Sequence, residues 1–245
     1  MIKCSKEIIN KATELNGMKE YVLMCSSGVD SIAGVHYLLS KVKKQDMYNY
    51  KYKVFHLNHK LRPQNDKMEA AFRDFMDTEF PDVYKTVIER NVSKDIPSKN
   101  TEAELRDFRL DELMRFVHKN VIITCHHLND CVESYLLNSI RGHEGYQPIP
   151  FWTQRHKEMP SNGGPTSNVV CHPFLFTKKQ DFHNYCSKHH LWDYVVEDET
   201  NHVSKGSRRN MIRNEIVPIL ERDKVGLETI VAKKMKKRLM IDLLK

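Results

Sequence analysis

The residues that most clearly suggest chemistry form one short run, Ser26-Ser27-Gly28-Val29-Asp30-Ser31, between an apolar segment and a helical pattern. Small residues let successive backbone N–H groups approach a phosphate, and a helix start adds a partial positive charge. The serine hydroxyls could donate further bonds, and Asp30 would tolerate phosphates only if a Mg²⁺ ion lay between them. The run therefore predicts a phosphate-binding loop with Asp30 as a magnesium ligand. An ordinary strand–helix turn with an acidic cap is the alternative.

A second candidate is the carboxylate pair Asp130 and Glu133, three residues apart at the start of a predicted helix. Side chains at this spacing project from the same side of a helix. A carboxylate pair on one side of a helix start is a candidate site. The alternative is that both are first-turn acids that complement the helix dipole.

Short apolar runs alternate with helical spacing along the chain. This pattern predicts strands near 21–25, 52–57, 83–88, 121–125 and 169–171, and helices near 31–42, 66–79, 101–118, 128–140, 178–190, 207–221 and 224–243. Strands that alternate with helices indicate an α/β fold with a doubly wound, mostly parallel sheet of about five strands. Because ligands in such sheets bind beyond the carboxyl ends of the strands, the loops at 25–31, 57–62 and 125–130 should be neighbours. The prolines and glycines of 143–168 predict a long mobile loop.

The charge is unevenly distributed. The 245 residues contain 39 Lys+Arg and 32 Asp+Glu, a formal net charge of +7, and residues 205–245, with 12 basic and 5 acidic side chains, carry the whole excess. Five of these cations follow one another closely: Lys233, Lys234, Lys236, Lys237 and Arg238. A basic segment favours a nucleic-acid partner through phosphate contacts, and a solvated helix face is the alternative.

Composition excludes several classes of protein. With 40% hydrophobic and 29% charged residues, the chain is neither disordered nor fibrous. No apolar run approaches the ~20 residues that cross a bilayer, and the amino terminus lacks a signal-peptide pattern, so we expect a cytoplasmic protein without a membrane partner. The six cysteines form no C-x-x-C pair, which favours buried reduced thiols over a zinc or iron–sulfur site.

The run at 26–31 resembles the S-G-G-x-D-S loop of the N-type ATP pyrophosphatases, also called PP-loop enzymes. Other stretches, in matching chain order, are similar to motifs of one branch of these enzymes, the lysidine synthetases. The matching stretches are His56–Arg62 (H-V-N-H-G-L-R), Glu102–Arg109 (E-x-x-x-R-x-x-R), His126–Ser134 (H-H-x-D-D-Q-x-E-T), Arg141-Gly142 (R-G), His172–Leu175 (R-P-L-L), Asp198–Asn201 (D-x-S-N) and Arg209–Arg213 (R-N-x-I-R).

The resemblance implies an ATP- and Mg²⁺-dependent ligase. Enzymes of this branch cleave ATP between the α- and β-phosphates and adenylate the C2 oxygen of the wobble cytidine of an isoleucine tRNA with the anticodon C-A-U. The ε-amine of free lysine then displaces AMP. The resemblance further implies a catalytic domain over residues 1–204 and a short basic helical segment over 205–245, in place of the additional tRNA-binding domains that usually follow.

The resemblance also assigns roles to individual residues. Asp30, Asp130 and Glu133 would be catalytic, with Asp130 and Glu133 holding the ammonium group of lysine and helping to take its proton. The cofactor would contact the 26–31 loop with His59, Arg106, His126 and Arg141. The tRNA would contact Arg109, Asn201, Arg209, Asn210 and Arg213. The five cations at 233–238 match no motif and would add tRNA contacts through the charge of the basic segment. Taken on their own, Arg106 and Arg109 could instead pair with Glu102 and Asp111, and Arg209 and Arg213 could lie on a solvated face.

Departures from the motifs keep other functions open. Ser27 replaces a glycine, Asn129 an acid, Cys131 a glutamine and His172 an arginine. One alternative is another PP-loop tRNA-modifying enzyme such as a thiolase, against which the missing C-x-x-C pair argues. The other is a catalytically decayed module that binds RNA or protein through the basic segment.

Overall fold

Six strands form a single sheet in the computed structural model. They are β1 (Tyr21–Met24), β2 (Tyr52–Asn58), β3 (Tyr84–Glu89), β4 (Val121–Ile123), β5 (Trp152–Lys157) and β6 (Thr166–Cys171). Their order is β3-β2-β1-β4-β6-β5, and every neighbouring pair is parallel except β5 with β6. The predicted α/β fold with a mostly parallel sheet is therefore confirmed, with one strand more than expected.

The structure describes residues 1–17, 19–42, 45, 51–90, 102–142, 149–157, 166–197 and 207–244. Its helices are α1 (Lys6–Asn16), α2 (Val29–Leu39), α3 (Pro63–Glu79), α4 (Glu102–Leu113), α5 (Leu128–Ile140), α6 (Lys179–Lys188), α7 (Arg208–Met211), α8 (Val217–Arg222) and α9 (Leu227–Leu243), with a 3₁₀ turn at Trp192–Tyr194 and a π turn at Ile212–Ile216.

The alternation of side chains along β1 explains why the sheet is covered on both faces. Leu23 belongs to the larger apolar cluster, whereas Val22 and Met24 belong to a smaller cluster on the opposite face. Gly34 lets α2 approach the end of β4, because a Cβ atom there would lie 2.5 Å from the Cys125 Sγ atom. This close packing fixes the helix that follows the 26–31 loop.

The predicted long loop over 143–168 is wrong where the structure describes it, since β5 and the first residues of β6 lie within that range. Along β5, Thr153 and Arg155 are half-buried and alternate with exposed Gln154 and His156. Such a polar edge strand has no apolar run to reveal it. Helix α1 was also not predicted, although it buries Ile8 and Ala12.

Helix α9 packs against α5, and its side chains at Val231, Met235 and Leu239 are buried in the larger apolar cluster. The boundary between residues 204 and 205 stays a prediction. Within the described ranges, no helix is both long and apolar enough to span a membrane.

Candidate functional site

A cavity of about 720 Å³ lies at the carboxyl ends of the parallel strands. Its size is within the range typical of small-ligand sites. The residues that line it come from all three loops that the sequence placed together, including Ser26, His59 and His126. The three loops are neighbours because the strands that precede them are adjacent in the sheet, with β1 between β2 and β4.

The amino terminus of α2 faces this cavity without a side-chain cap. Gly28 is the N-cap residue, and Val29 and Asp30 begin the helix. The first N–H groups of a helix have no acceptor within the helix and carry a partial positive charge. Since all three residues line the cavity, this helix start is suited to an anion such as a phosphate.

The hydroxyl of Ser31 holds the loop together. Its Oγ atom accepts a hydrogen bond from the Ser26 N–H at 3.1 Å and donates one to the Gly28 carbonyl at 2.9 Å. The Ser26 Oγ atom lies 3.2 Å from the same oxygen. The loop is therefore shaped by its own serine side chains.

Ser27 does not provide the phosphate-facing hydroxyl that the sequence predicted. Its side chain is fully buried, and Oγ donates a 2.6 Å hydrogen bond to the Met68 carbonyl of α3. The residue also has a φ of 60°, in the left-handed region that favours glycine. This conformation explains why the related motif has a glycine here, and the bond to Met68 offsets part of the cost of serine.

His127 connects the loop to the carboxylates of α5. Its Nε2 atom lies 3.3 Å from Asp30 Oδ2, and its backbone N–H donates to Asp130 Oδ2 at 2.9 Å. Burial alone would lower the pKa of His127, but Asp130 and Asp30 outweigh it and raise the pKa to about 8. Burial would raise the pKa of Asp130, but the charges of His127 and Arg209 hold it well below its usual range.

Asp30 fits the predicted magnesium role. Its Oδ1 atom is buried and has no hydrogen-bond partner, while Asp30 itself lines the cavity. Carboxylate oxygen is a preferred ligand of Mg²⁺, which usually takes its remaining ligands from water and substrate phosphates. Within the described ranges, no group of three or more His, Cys, Asp or Glu side chains could hold a metal by itself.

Glu133 is not available to an ammonium group, which corrects the prediction from sequence. It is buried, it does not line the cavity, and its two oxygens accept hydrogen bonds from Arg209 Nε at 2.8 Å and Arg213 Nε at 2.6 Å. Arg213, predicted to contact tRNA, is likewise engaged with this carboxylate and does not line the cavity. Arg209 does line it, with Nη2 3.4 Å from Asp130 Oδ1.

A neutral histidine and an arginine line the side of the cavity nearest β2. Burial, with Arg109 and Arg90 nearby, lowers the pKa of His59 to about 3. Its Nε2 atom lies 3.4 Å from Arg109 Nη2, and its buried Nδ1 atom has no hydrogen-bond partner. His59 was predicted to contact the cofactor and Arg109 the tRNA, and the two residues lie together on the cavity wall.

The remaining predicted residues are dispersed. His126 lines the cavity and bonds Thr124 Oγ1 through Nδ1 at 2.8 Å. Arg141 is exposed at the far end of α5 and does not line the cavity, contrary to the prediction. Asn210 lies in α7, where its backbone N–H bonds Ser207. Asn201 and the Arg106 side chain lie outside the described residues, and the five α9 cations are exposed away from the cavity.

Several lining residues were missed from the sequence, namely Ser134, Leu137, Asn138, Ile149, Pro150, Thr153, Arg155, Lys179 and Glu197. Except for Ser134, which ends the His126–Ser134 motif, none belongs to a recognisable chemical motif. The only available signal was helical spacing, because Ser134, Leu137 and Asn138 follow Asp130 at i+4, i+7 and i+8 on the same face of α5.

A parallel α/β sheet with a phosphate-type loop after its central strand defines a class of nucleotide-binding domain. The family model described as the PP-loop domain matches residues 3–220. The chain therefore belongs to the PP-loop family of ATP-binding enzymes, as its motifs predicted.

Curated relatives of the chain include tRNA(Ile)-lysidine synthases. The chain is 26% identical over 233 residues to that of Aster yellows witches'-broom phytoplasma, covering 91% of this chain and 47% of the relative. It is 28% identical to that of Wigglesworthia glossinidia brevipalpis (85% and 50%) and 30% to that of Lactiplantibacillus plantarum (84% and 43%). The chain thus spans about half the length of the curated relatives it matches.

A solved structure shares the fold. The U34-tRNA thiolase NcsA from Methanococcus maripaludis, solved with its [4Fe-4S] cluster, superposes with a TM-score of 0.59 at 12% identity. The superposition covers 96% of this chain and 79% of the thiolase.

Proposed function

We propose that this PP-loop domain joins lysine to C2 of the wobble cytidine of an isoleucine tRNA through an adenylated tRNA, with release of pyrophosphate and AMP. The observation that carries the proposal is the uncapped start of α2, with Asp30 beside it, in the same cavity as Asp130. The same cavity therefore contains a site suited to an anion and a carboxylate that could hold an amine. The names of the curated relatives support tRNA as the substrate.

In the adenylation step, the N–H groups at the start of α2 hold the phosphates of ATP, which is electrostatic stabilisation by groups already in place. Mg²⁺ on Asp30 would neutralise charge on the leaving pyrophosphate. His127 keeps Asp30 in position through its Nε2 contact.

In the ligation step, the ammonium group first loses a proton to water and the resulting amine nitrogen attacks C2. The C2–O bond then breaks, so that AMP leaves with the oxygen, and the attached nitrogen releases its second proton to water. Asp130 is the α5 carboxylate that faces the cavity, and its low pKa keeps it charged to hold the ammonium form. A carboxylate of low pKa is a weak base, so Asp130 orients the amine more than it removes the proton. Glu133 acts indirectly, by holding Arg209 at the cavity wall.

The thiols offer no support for sulfur transfer. Burial raises the pKa of the Cys25 thiol to about 11 and that of Cys125 well above its usual value. Both side chains line the cavity in the protonated form, which is a poor nucleophile and metal ligand.

The test is to incubate the protein with ATP, Mg²⁺, lysine and an isoleucine tRNA bearing C-A-U, and to measure AMP and pyrophosphate. We expect lysine-dependent AMP release from the wild type. Asp30→Ala should lower the rate by at least ~100-fold, the scale of losing one preorganised electrostatic group, while tRNA affinity stays unchanged. The exposed Asp193→Ala variant is the matched control.

Other outcomes would replace the proposal. AMP release that needs a sulfur donor instead of lysine would favour a thiolase, and no AMP with any tRNA would favour a binding module. Full activity of Asp30→Ala would contradict the role of Asp30.

A further inference from the structure

The phosphate-binding loop contains no cation of its own. The ionisable side chain within residues 26–31 is the acid Asp30, and the N–H groups at the start of α2 add only a partial positive charge. The β- and γ-phosphates of ATP carry several negative charges, which the Asp30 carboxylate repels. A Mg²⁺ ion on Asp30 would offset part of this repulsion, and a cation from a neighbouring element would offset more.

One lining cation differs from the others in its surroundings. The Lys and Arg side chains among the described residues that line the cavity are Arg109, Arg155, Lys179 and Arg209. Each of the three arginines contacts another side chain. The ammonium group of Lys179 has no carboxylate partner within the described ranges, whereas that of its neighbour Lys178 pairs with Glu228 of α9. Lys179 is therefore the lining cation most available to a bound anion.

Helix α6, which begins at Lys179, packs against α2 and runs in the same direction. Cys186 Sγ lies 3.8 Å from the carbonyl oxygen of Val29, the first residue of α2. Further along both helices, the ring centroids of His36 and His189 lie 5.3 Å apart. The amino termini of the two helices therefore lie at the same end of the pair, which is the end that lines the cavity.

Lys179 lies on the face of α6 that meets the loop. Lys179, His183 and Cys186 are spaced at i, i+4 and i+7, which places them on one side of the helix. Burial and the charge of Lys179 lower the pKa of His183, and the charge of Asp30 opposes them, so both charges lie near this ring. Lys179 comes four residues before His183, about 6 Å further toward the cavity at 1.5 Å per residue. Its long side chain can therefore reach an anion held in front of Asp30.

We propose that Lys179 binds the β- and γ-phosphates of ATP and stabilises the pyrophosphate that leaves. The proposal rests on the adenylation step of the proposed function and adds to it a residue that belongs to none of the motifs. As the C2 oxygen bonds to the α-phosphorus, the bond from this phosphorus to the bridging oxygen breaks, and its electron pair stays on the pyrophosphate. The negative charge beside Lys179 therefore grows, and its charged hydrogen bonds strengthen in the transition state.

The test measures binding of pyrophosphate, of AMP and of α,β-methylene-ATP, which cannot be cleaved between the α- and β-phosphates, by isothermal titration calorimetry at fixed Mg²⁺. Tenfold or greater loss of affinity for pyrophosphate and for the ATP analogue is expected in Lys179→Ala, the scale of losing a hydrogen bond to a charged group. The affinity for AMP should be unchanged, because AMP lacks both phosphates. Lys179→Arg should retain most of the affinity, since it keeps the charge.

Lys178 provides the matched control. It is exposed, as Lys179 is, but it pairs with Glu228 and does not line the cavity. Lys178→Ala removes the same charge one position earlier and should leave all three affinities unchanged. Thermal unfolding checks that each variant is folded. In ~1 M salt the difference between the wild type and Lys179→Ala should narrow, because salt screens an exposed charge, whereas a loss caused by altered structure would persist.

The outcomes separate this inference from the proposed function, because the binding measurements need neither tRNA nor lysine. If Lys179→Ala binds pyrophosphate as tightly as Lys178→Ala does, the inference fails, whatever the wild type does with tRNA. An equal loss of affinity for AMP and for pyrophosphate would also overturn it. If the loss is confined to pyrophosphate and the ATP analogue but the wild type forms no AMP with lysine and tRNA, the inference stands and the proposed reaction fails.

Discussion

Ser27 and Lys60 adopt left-handed backbone conformations, with φ of 60° and 51°. Both occupy positions where the related motifs have glycine, and a side chain there costs roughly 1 kcal/mol. Each side chain makes contacts that glycine could not, since Ser27 binds the Met68 carbonyl and Lys60 pairs with Asp66 and Glu89. The substitutions at these positions therefore preserve the backbone shape of both loops.

The charge on His127 should make stability depend on pH. Its pKa rises from 6.5 to about 8 on folding, so its contribution is fully present below pH 6.5 and is lost as the pH rises through about 8. The shift corresponds to about 2 kcal/mol. We expect the difference in unfolding free energy between the wild type and His127→Asn to shrink by this amount from about pH 6 to about pH 9.

Urea denaturation across this pH range is the measurement. Asparagine keeps a polar side chain at this N-cap position of α5 without titrating. His118, which is exposed, provides the control variant His118→Asn. A difference that stays constant with pH would mean that folding does not shift the pKa of His127.

At the level of elements, the sequence was most informative where strands are buried. β1 and β4 are apolar runs with turn residues after them, and the loops that follow were correctly placed together. β5 was missed because its partly buried positions, Thr153 and Arg155, are polar, and the part of the cavity lining that these two residues form was missed with it. The pairing of Glu133 with Arg209 joins residues distant in sequence, which no local pattern could reveal.

Asn129, an acid in the related motif, is explained by the elements that it joins. Its Oδ1 atom accepts a 2.9 Å hydrogen bond from the N–H of Lys179, the first residue of α6. Its Nδ2 atom donates to Glu228 Oε1 of α9 at 3.2 Å. An aspartate could accept the first bond but would repel Glu228, so asparagine is needed to fasten α9.

Accordingly, Asn129→Asp should lower the free energy of unfolding by about 1–2 kcal/mol, and adding Glu228→Gln should restore much of the loss. A double-mutant cycle in urea should give a coupling energy of at least ~0.5 kcal/mol. Asn184→Asp on the exposed face of α6 is the control. Additive effects would show that the Asn129–Glu228 bond does not hold α9 in place.

For the whole molecule, the +7 net charge has a defined location. It falls in residues 205–245, where Lys233, Lys236 and Lys237 are exposed on α9. The same helix buries Val231, Met235 and Leu239. Removal of α9 would therefore disrupt the core. Substitution of its exposed side chains changes the charge and leaves these buried contacts in place.

Replacing Lys233, Lys236 and Lys237 by glutamine should weaken tRNA binding and reduce the salt slope by about three, because each lysine would neutralise one phosphate. ATP affinity should not change, because these residues lie away from the cavity. The comparison is a triple variant at the exposed residues Lys3, Lys6 and Lys19. Equal effects of the two triple variants would mean that α9 provides no particular tRNA contact.

The position of β1 also determines when the cavity can form as the chain is synthesised. Tyr21 pairs with Tyr52 on one side and with Val121 on the other, and β6 joins next to β4. The entropy of closing such long loops is lost before the stabilising strand contacts form. Parallel sheets therefore fold slowly. A nascent chain must therefore emerge as far as Cys171 before β6 can pair with β4 and the parallel strands around the cavity are complete. The phosphate-binding loop is thus translated early but acquires its shape late.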